Sequence, residues 1–196
     1  LVVGDAAELG REFLENPLCR KITFTGSTEV GRQLIAGAAP FVKPLALELG
    51  GNDAAIVLED VDPKQVAPRI FRAAFNNCGQ VCVAIKRLYA HEKIYDALCE
   101  ALIEEVKKVK VGPGTDPRVQ FGPLNNRMQY ERICNLVEDA KQHGARILTG
   151  GEPMPGPGYF YPLTLVAEIS DGVRLVDEEQ FGPVLPILRF REVDDA

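Results

Sequence analysis

Ala54-Ala55-Ile56-Val57-Leu58, followed by the pair Asp62-Pro63, is the stretch on which the fold turns. Five apolar residues without alternation describe a strand covered on both faces, the habit of parallel sheets. Aspartate at an N-cap and proline at the first helical position then open a helix. That helix is expected to reach about Asn77, with Pro68 removing one donor and kinking or delaying its first turn. A strand over 87–91 comes next, so the order is strand, helix, strand. Such a unit closes as a right-handed crossover between parallel strands.

The same alternation extends in both directions. Upstream, Asp5 and Glu8 stand at capping-box spacing before a helix to about Leu14, which Asn16-Pro17 stops. A short buried strand over 21–25, a helix from Ser27 or Thr28 to about Ala38, and an extended segment over 43–49 follow. Downstream, Ile94, Leu98, Leu102 and Val109 form a stripe at helical spacing. After a Gly-Pro loop at 112–117 a long helix runs to His143, with Tyr130, Ile133, Val137 and Ala140 inward and Gly144 as its cap. Strands over 146–149, 160–166 and 184–190 complete the series. The fold class is α/β, a mostly parallel sheet with flanking helices. One boundary suggests itself at Leu49-Gly50-Gly51, because the chain before it is too short to close a core alone.

Composition narrows the classes of function. The 196 residues carry a net charge of −6, which disfavours nucleic acid and anionic membrane surfaces as partners. No apolar run approaches the roughly 20 residues that a membrane-spanning helix needs. Five cysteines, an odd and unclustered set, suit a reducing compartment such as the cytoplasm rather than a disulfide framework. Cys78 and Cys82 are not in CxxC spacing, and His91 and His143 have no metal-ligand spacing, so no metal is expected.

Four stretches carry chemistry. Cys82, in Cys78-Gly79-Gln80-Val81-Cys82, places a thiol after a flexible turn, and its own backbone N–H is a natural first donor to an oxyanion formed there. Glu48, between Leu47 and Leu49 and before Gly50-Gly51, is a lone carboxylate that partial desolvation would push up toward neutrality, fitting it to activate water. Thr25-Gly26-Ser27-Thr28 lies where a strand ends and a helix begins, a place whose free N–H groups suit a pyrophosphate. Glu179 and Phe181 lie in Glu178-Glu179-Gln180-Phe181-Gly182-Pro183. By residue type alone a plainer reading stands for each: a buried structural thiol, an exposed strand-end glutamate, a capped helix and a solvated acidic face.

Taken together and in this order, Phe24-Thr25-Gly26-Ser27-Thr28-Glu29-Val30-Gly31, Leu47-Glu48-Leu49-Gly50-Gly51-Asn52, Gly79-Gln80-Val81-Cys82 with Arg87 five residues on, and Glu179-Gln180-Phe181-Gly182-Pro183 closely resemble the aldehyde dehydrogenase superfamily. Gln180, where an apolar residue is more usual, is a small departure. The resemblance implies oxidation of a small-molecule aldehyde to a carboxylic acid with NAD or NADP. Cys82 would be the nucleophile and Glu48 the base that hydrolyses the thioester. Gly26, Ser27, Val30 and Leu49 would serve the dinucleotide, Glu179 its nicotinamide ribose and Phe181 the nicotinamide ring. Residues 1–49 would be the closing part of a Rossmann-like dinucleotide-binding domain, and 50–196 a catalytic domain incomplete at its C-terminus.

The family's proteins are more than twice this length, and the chain begins without methionine, so it reads as a segment of a longer parent, itself a homodimer or homotetramer. The family's side-chain oxyanion donor and its ribose-holding lysine lie upstream of the segment. The segment alone is therefore expected to turn over little or not at all. Two other readings stay open. One is a relative that passes the acyl group to coenzyme A or reduces an acyl phosphate, although such acyl-transferring members generally lack a glutamate at the position of Glu48. The other is a non-enzymatic oligomerising or binding module.

Overall fold

The computed structural model describes all 196 residues, which divide into two compact units, Leu1–Gly51 and Asn52–Ala196.

In the first unit, helix α1 (Ala6–Glu15) starts at Asp5, whose carboxylate accepts the N–H groups of Ala7 and Glu8 at 3.0 and 2.9 Å. Its C-terminal end is held by Lys43, which donates to the carbonyls of Phe13 and Asn16. A cation at that end of a helix also meets the negative pole of the dipole. Strand β1 (Ile22–Thr25) and strand β2 (Leu45–Glu48) pair in parallel, Ile22 opposite Leu45 and Thr25 opposite Glu48, with helix α2 (Thr28–Ala38) as the crossover. The expected burial of β1 is met only at Ile22, because a two-stranded sheet covers too little of either face.

The second unit is a five-stranded sheet in the order β3-β4-β7-β6-β5, formed by β3 (Ala54–Val57), β4 (Arg87–His91), β5 (Arg146–Thr149), β6 (Thr164–Ala167) and β7 (Val184–Phe190). All neighbours are parallel except β5, which runs antiparallel to β6 at the far edge. Alternation along the strands sends side chains to opposite faces. Leu88, Leu185 and Ile187 meet helices α3 (Pro63–Phe75) and α4 (Tyr95–Lys107) through Phe71, Phe75, Leu98 and Leu102. Tyr89, Leu188 and Phe190 share a second core with Ile133, Leu136 and Val137 of helix α5 (Arg127–Gln142). A fully buried side chain such as Phe75 contributes about 1.5–3 kcal/mol through removal from water.

Several expectations change. The apolar run of β3 is not covered on both faces: Val57 joins the core under α3 and α4, but Ile56, on the opposite face, is 48% exposed because the second core does not extend to β3. Pro68 sits inside α3 without interrupting it, and the helix starts at Pro63 without delay. It stops at Phe75 rather than Asn77, because Asn77, Cys78 and Gly79 all adopt left-handed backbone, with φ of 50, 56 and 68°. Helix α4 ends at Lys107, leaving Val109 outside it, and the strand expected over 160–166 pairs only from Thr164. A four-residue helix, α6 (Arg174–Asp177), was not anticipated. No helix is long and apolar enough to cross a membrane.

Candidate active site

The loop that carries Cys82 is built by the reversal at the end of α3. Left-handed backbone costs a non-glycine residue about 1–2 kcal/mol, so Asn77 and Cys78 need compensating partners. The Cys78 thiol donates to the Gly122 carbonyl at 3.2 Å. Gln80 clamps the turn from both sides: its amide N–H donates to the Asn77 carbonyl at 3.2 Å, and its side-chain oxygen accepts the Asn125 N–H at 2.8 Å. Asn77 returns a bond to the Gln80 carbonyl. Val81 and Cys82 then lead through Ala84, whose N–H bonds the Val81 carbonyl, into β4.

Gly79 has a packing reason for being glycine. A Cβ at this position would lie 2.2 Å from the Gly182 carbonyl oxygen, in addition to the cost of its φ of 68°. The backbone that approaches Gly79 is that of Gly182, next to Phe181. Gly79→Ala is expected to destabilise by about 3 kcal/mol, combining left-handed strain with an overpacked contact that backbone cannot relieve. Thermal unfolding would register this as a fall on the order of 10 °C. An unchanged midpoint would show that the two glycines do not meet.

The five thiols are not alike. Burial pushes Cys78 and Cys99 up to about 11 and raises Cys134. Cys82 is exposed, the only one of the five that is. The plainer reading of a buried structural cysteine therefore fits Cys78 and Cys99 and does not fit Cys82.

Behind this loop lies a residue that the sequence reading passed over. Lys86 is 1% exposed, and its ammonium donates to the carbonyls of Val81 at 2.7 Å, Ala84 at 3.0 Å and Cys82 at 3.3 Å. It stands 3.9 Å from Oε1 of Glu179 and 5.8 Å from the centre of the Phe181 ring. Burial lowers its pKa, and the Glu179 and Asp53 carboxylates oppose that shift. Oε1 of Glu179 is enclosed without a hydrogen bond, while the side chain as a whole remains 27% exposed.

Phe181 has a φ of 49°, a strained value for an aromatic residue. Gln129 holds that turn by donating to the carbonyls of Gln180 and Phe181 at 2.6 and 2.9 Å. Gln180 is fully buried and donates to the carbonyls of Lys86 at 2.6 Å and Val184 at 2.7 Å. Its departure from an apolar residue is thus explained by a bond to the strand entry beside Cys82. Sequence offered one weak signal for Lys86, a charge next to Ala84-Ile85 at the entrance to a buried strand. For Gln129, whose partners are backbone atoms 51 and 52 residues away, it offered none, and for Gln180 only the departure from an apolar residue.

In the first unit, Ser27 caps α2 by accepting the Val30 N–H at 3.3 Å, which leaves its hydroxyl proton free to donate. Gly26 donates its N–H to the Glu48 carbonyl at 3.0 Å, and the Phe24 ring occupies the space a Cβ would take. A Cβ on Gly31 would lie 2.9 Å from Leu49, so Leu49 packs against α2 beside Val30, which is 38% exposed. Because successive strand side chains alternate, Glu48 points away from that contact and is exposed. The expected desolvation by Leu47 and Leu49 is therefore corrected: Glu48 is exposed at the end of β2, and the two leucines do not enclose it. Cys82, Glu179 and Phe181 are gathered around Lys86 in the second unit, whereas Gly26, Ser27, Val30, Glu48 and Leu49 form a separate group in the first.

These residues stand in a fold with many relatives. The whole chain, residues 1–196, matches the aldehyde dehydrogenase family, and it belongs to that family. A probable aldehyde dehydrogenase of a Pseudomonas species is 45% identical over 176 residues, 90% of this chain and 36% of that protein. A probable succinate-semialdehyde dehydrogenase [NADP(+)] of Sinorhizobium fredii is 42% identical over 191 residues, covering 97% of this chain and 38% of its own length. The crystal structure of succinate-semialdehyde dehydrogenase from Burkholderia pseudomallei superposes with a TM-score of 0.96 at 38% identity, over 99% of this chain and 40% of that one. The chain thus spans less than half the length of the relatives it matches.

Proposed function

We propose that these residues are the nucleophile-bearing part of an NAD(P)-dependent aldehyde dehydrogenase that releases a free carboxylic acid. The observation that carries this reading is the exposed thiol of Cys82 on a tightly clamped loop, while Cys78 and Cys99 are buried and poorly ionisable. The thiolate sulfur of Cys82 adds to the aldehyde carbon, and the carbonyl π electrons move to oxygen. Backbone N–H of Cys82 is the donor that meets this oxyanion. A bound nicotinamide dinucleotide supplies the acceptor for the hydride that leaves the same carbon. Cys82 then holds a thioester. Glu48 takes a proton from water, whose oxygen adds to the acyl carbon, and the sulfur leaves as the carboxylic acid forms.

The residues fit the dinucleotide. The Glu179 side chain is 27% exposed, and its outer oxygen, the one not turned toward Lys86, is open to accept from a ribose hydroxyl. Ser27 has its proton to give at a helix N-terminus, and Gly26 and Val30 adjoin it. Leu49 and Phe181 offer apolar surface, the second beside the nicotinamide. The names of the relatives make succinate semialdehyde the first aldehyde to assay and NADP the first cofactor, with NAD beside it. Unpaired thiols suit a cytoplasmic protein, and the whole protein is taken as a homodimer or homotetramer.

Two measurements test the reading. Iodoacetamide at about pH 8 should alkylate Cys82 at least about tenfold faster than Cys99, as read by peptide mass spectrometry. A full-length protein carrying these residues should form NAD(P)H and the free acid without coenzyme A. Acyl-coenzyme A as the sole product would instead place it among the acyl-transferring relatives, and a Cys82 no faster than Cys99 would favour a structural role.

A further inference from the structure

We infer that Lys86 is a positioning residue that ties the Cys82 loop to the Glu179 carboxylate through a single buried ammonium group. The inference rests on the proposed roles of Cys82 and Glu179. It adds a residue that those roles alone do not require.

The geometry is that of a built site. An ammonium group has three protons to donate. Here all three face carbonyl oxygens of one turn, those of Val81, Cys82 and Ala84, at 2.7, 3.3 and 3.0 Å. No other side chain in the molecule secures the loop carbonyls on both sides of Cys82. The charge that remains is met by Oε1 of Glu179 at 3.9 Å, an oxygen with no other partner, and by the Phe181 ring face. Asp53 adds a second carboxylate to the surroundings, and the Lys86 N–H is bonded to the Asp53 carbonyl at 2.9 Å. The strand entry is fixed again by Gln180, which donates to the Lys86 carbonyl.

Burial of a lysine is costly unless its protons and charge are satisfied, and a methionine or leucine would fill the space without that cost. What the lysine adds is position and field. Its protons hold the backbone that presents the thiol. Its charge stands 3.3 Å from the Cys82 carbonyl oxygen and favours negative charge that develops beside that residue or approaches it. The same charge keeps Glu179 turned inward on one oxygen, leaving the rest of the side chain for the ribose. One residue would thereby set the relative placement of nucleophile and cofactor anchor.

The test uses Lys86→Met, which keeps length and removes charge, and Lys86→Arg, which restores charge. Both are made in a full-length protein carrying these residues. Alkylation of Cys82 is measured with neutral iodoacetamide and with anionic iodoacetate. In Lys86→Met the iodoacetamide rate should fall about threefold or more, and the iodoacetate-to-iodoacetamide ratio should fall as well. Lys86→Arg should recover the ratio. A purely structural role would not move that ratio, since both reagents meet the same loop. Binding of NAD(P)H, followed by fluorescence, should weaken about threefold or more in Lys86→Met through the released Glu179.

If Lys86→Met does not fold, Lys86→Gln is measured in its place with the same expectations. A folded neutral variant that alkylates Cys82 within about twofold of the unaltered protein, at an unchanged reagent ratio, overturns the inference. That outcome differs from failure of the underlying reading, in which the unaltered Cys82 itself reacts no faster than Cys99.

Discussion

Cys82→Ala, introduced into a full-length protein carrying these residues, is expected to lower aldehyde-dependent NAD(P)H formation by about four orders of magnitude or more. The size follows from the chemistry. Without the sulfur no thiohemiacetal forms, and direct hydride loss from a hydrated aldehyde lacks the positioned covalent intermediate. Stability should hardly change, by about 0.5 kcal/mol at most, because the side chain is exposed and its backbone carbonyl still accepts from Lys86. The pairing of lost turnover with an unmoved unfolding midpoint is the informative result. Cys78→Ala should show the opposite pairing in part: its thiol is buried and bonded to the Gly122 carbonyl, so stability suffers. Retention of more than about a tenth of the activity in Cys82→Ala would remove the nucleophile from the proposal.

Glu48→Gln is expected to slow steady-state turnover by about 10²- to 10⁴-fold, the range for loss of a general base, while leaving the first hydride transfer largely intact. A rapid burst of NAD(P)H should then approach one equivalent per site, followed by a slow phase. Intact-protein mass spectrometry should find the acyl group on Cys82, because in the proposed mechanism formation of the thioester does not call on Glu48 and its hydrolysis does. The substitution is nearly isosteric at an exposed strand end, and the Glu48 carbonyl that accepts from Gly26 is unchanged, so folding is not at stake. Equal slowing of burst and steady state would place Glu48 before hydride transfer and defeat its assignment. Addition of coenzyme A to this variant separates the acyl-transferring alternative, since a thiol acceptor that restores full turnover would bypass the need for a base.

Much of the scaffold was legible because it is governed by local pattern. Asp5, Ser27 and Asp62 were readable as helix caps since each sits just before a periodic apolar run, and each does accept the N–H groups of its first turn. The strands at 87–91, 146–149 and 184–190 were bounded correctly by turn residues on either side. Where pattern misled, the missing information was the neighbour. Nothing in Ala54-Ala55-Ile56-Val57-Leu58 tells that its strand lies at an edge with one face bare. Likewise Leu47 and Leu49 flank Glu48 in sequence, yet Leu49 packs against α2 and Glu48 is exposed, so the leucines do not enclose its carboxylate.

The types of chemistry available were written in residue order: a thiol after Gly-Gln, a carboxylate before Gly-Gly, a capped helix after Thr-Gly, and an acidic Phe-Gly-Pro turn. Those are properties of short stretches, and short stretches carry them whatever the surroundings. The motif also singled out Cys82 from the five thiols, but the difference in exposure among them depends on what packs against each cysteine. Packing also decides the role of Lys86, whose three carbonyl partners become a binding cage only when the loop reverses through left-handed backbone, and whose carboxylate partner comes from a turn more than ninety residues later in sequence. Local propensity sets what a segment can form; desolvation and charge pairing arise between segments, and they take their values from packing alone.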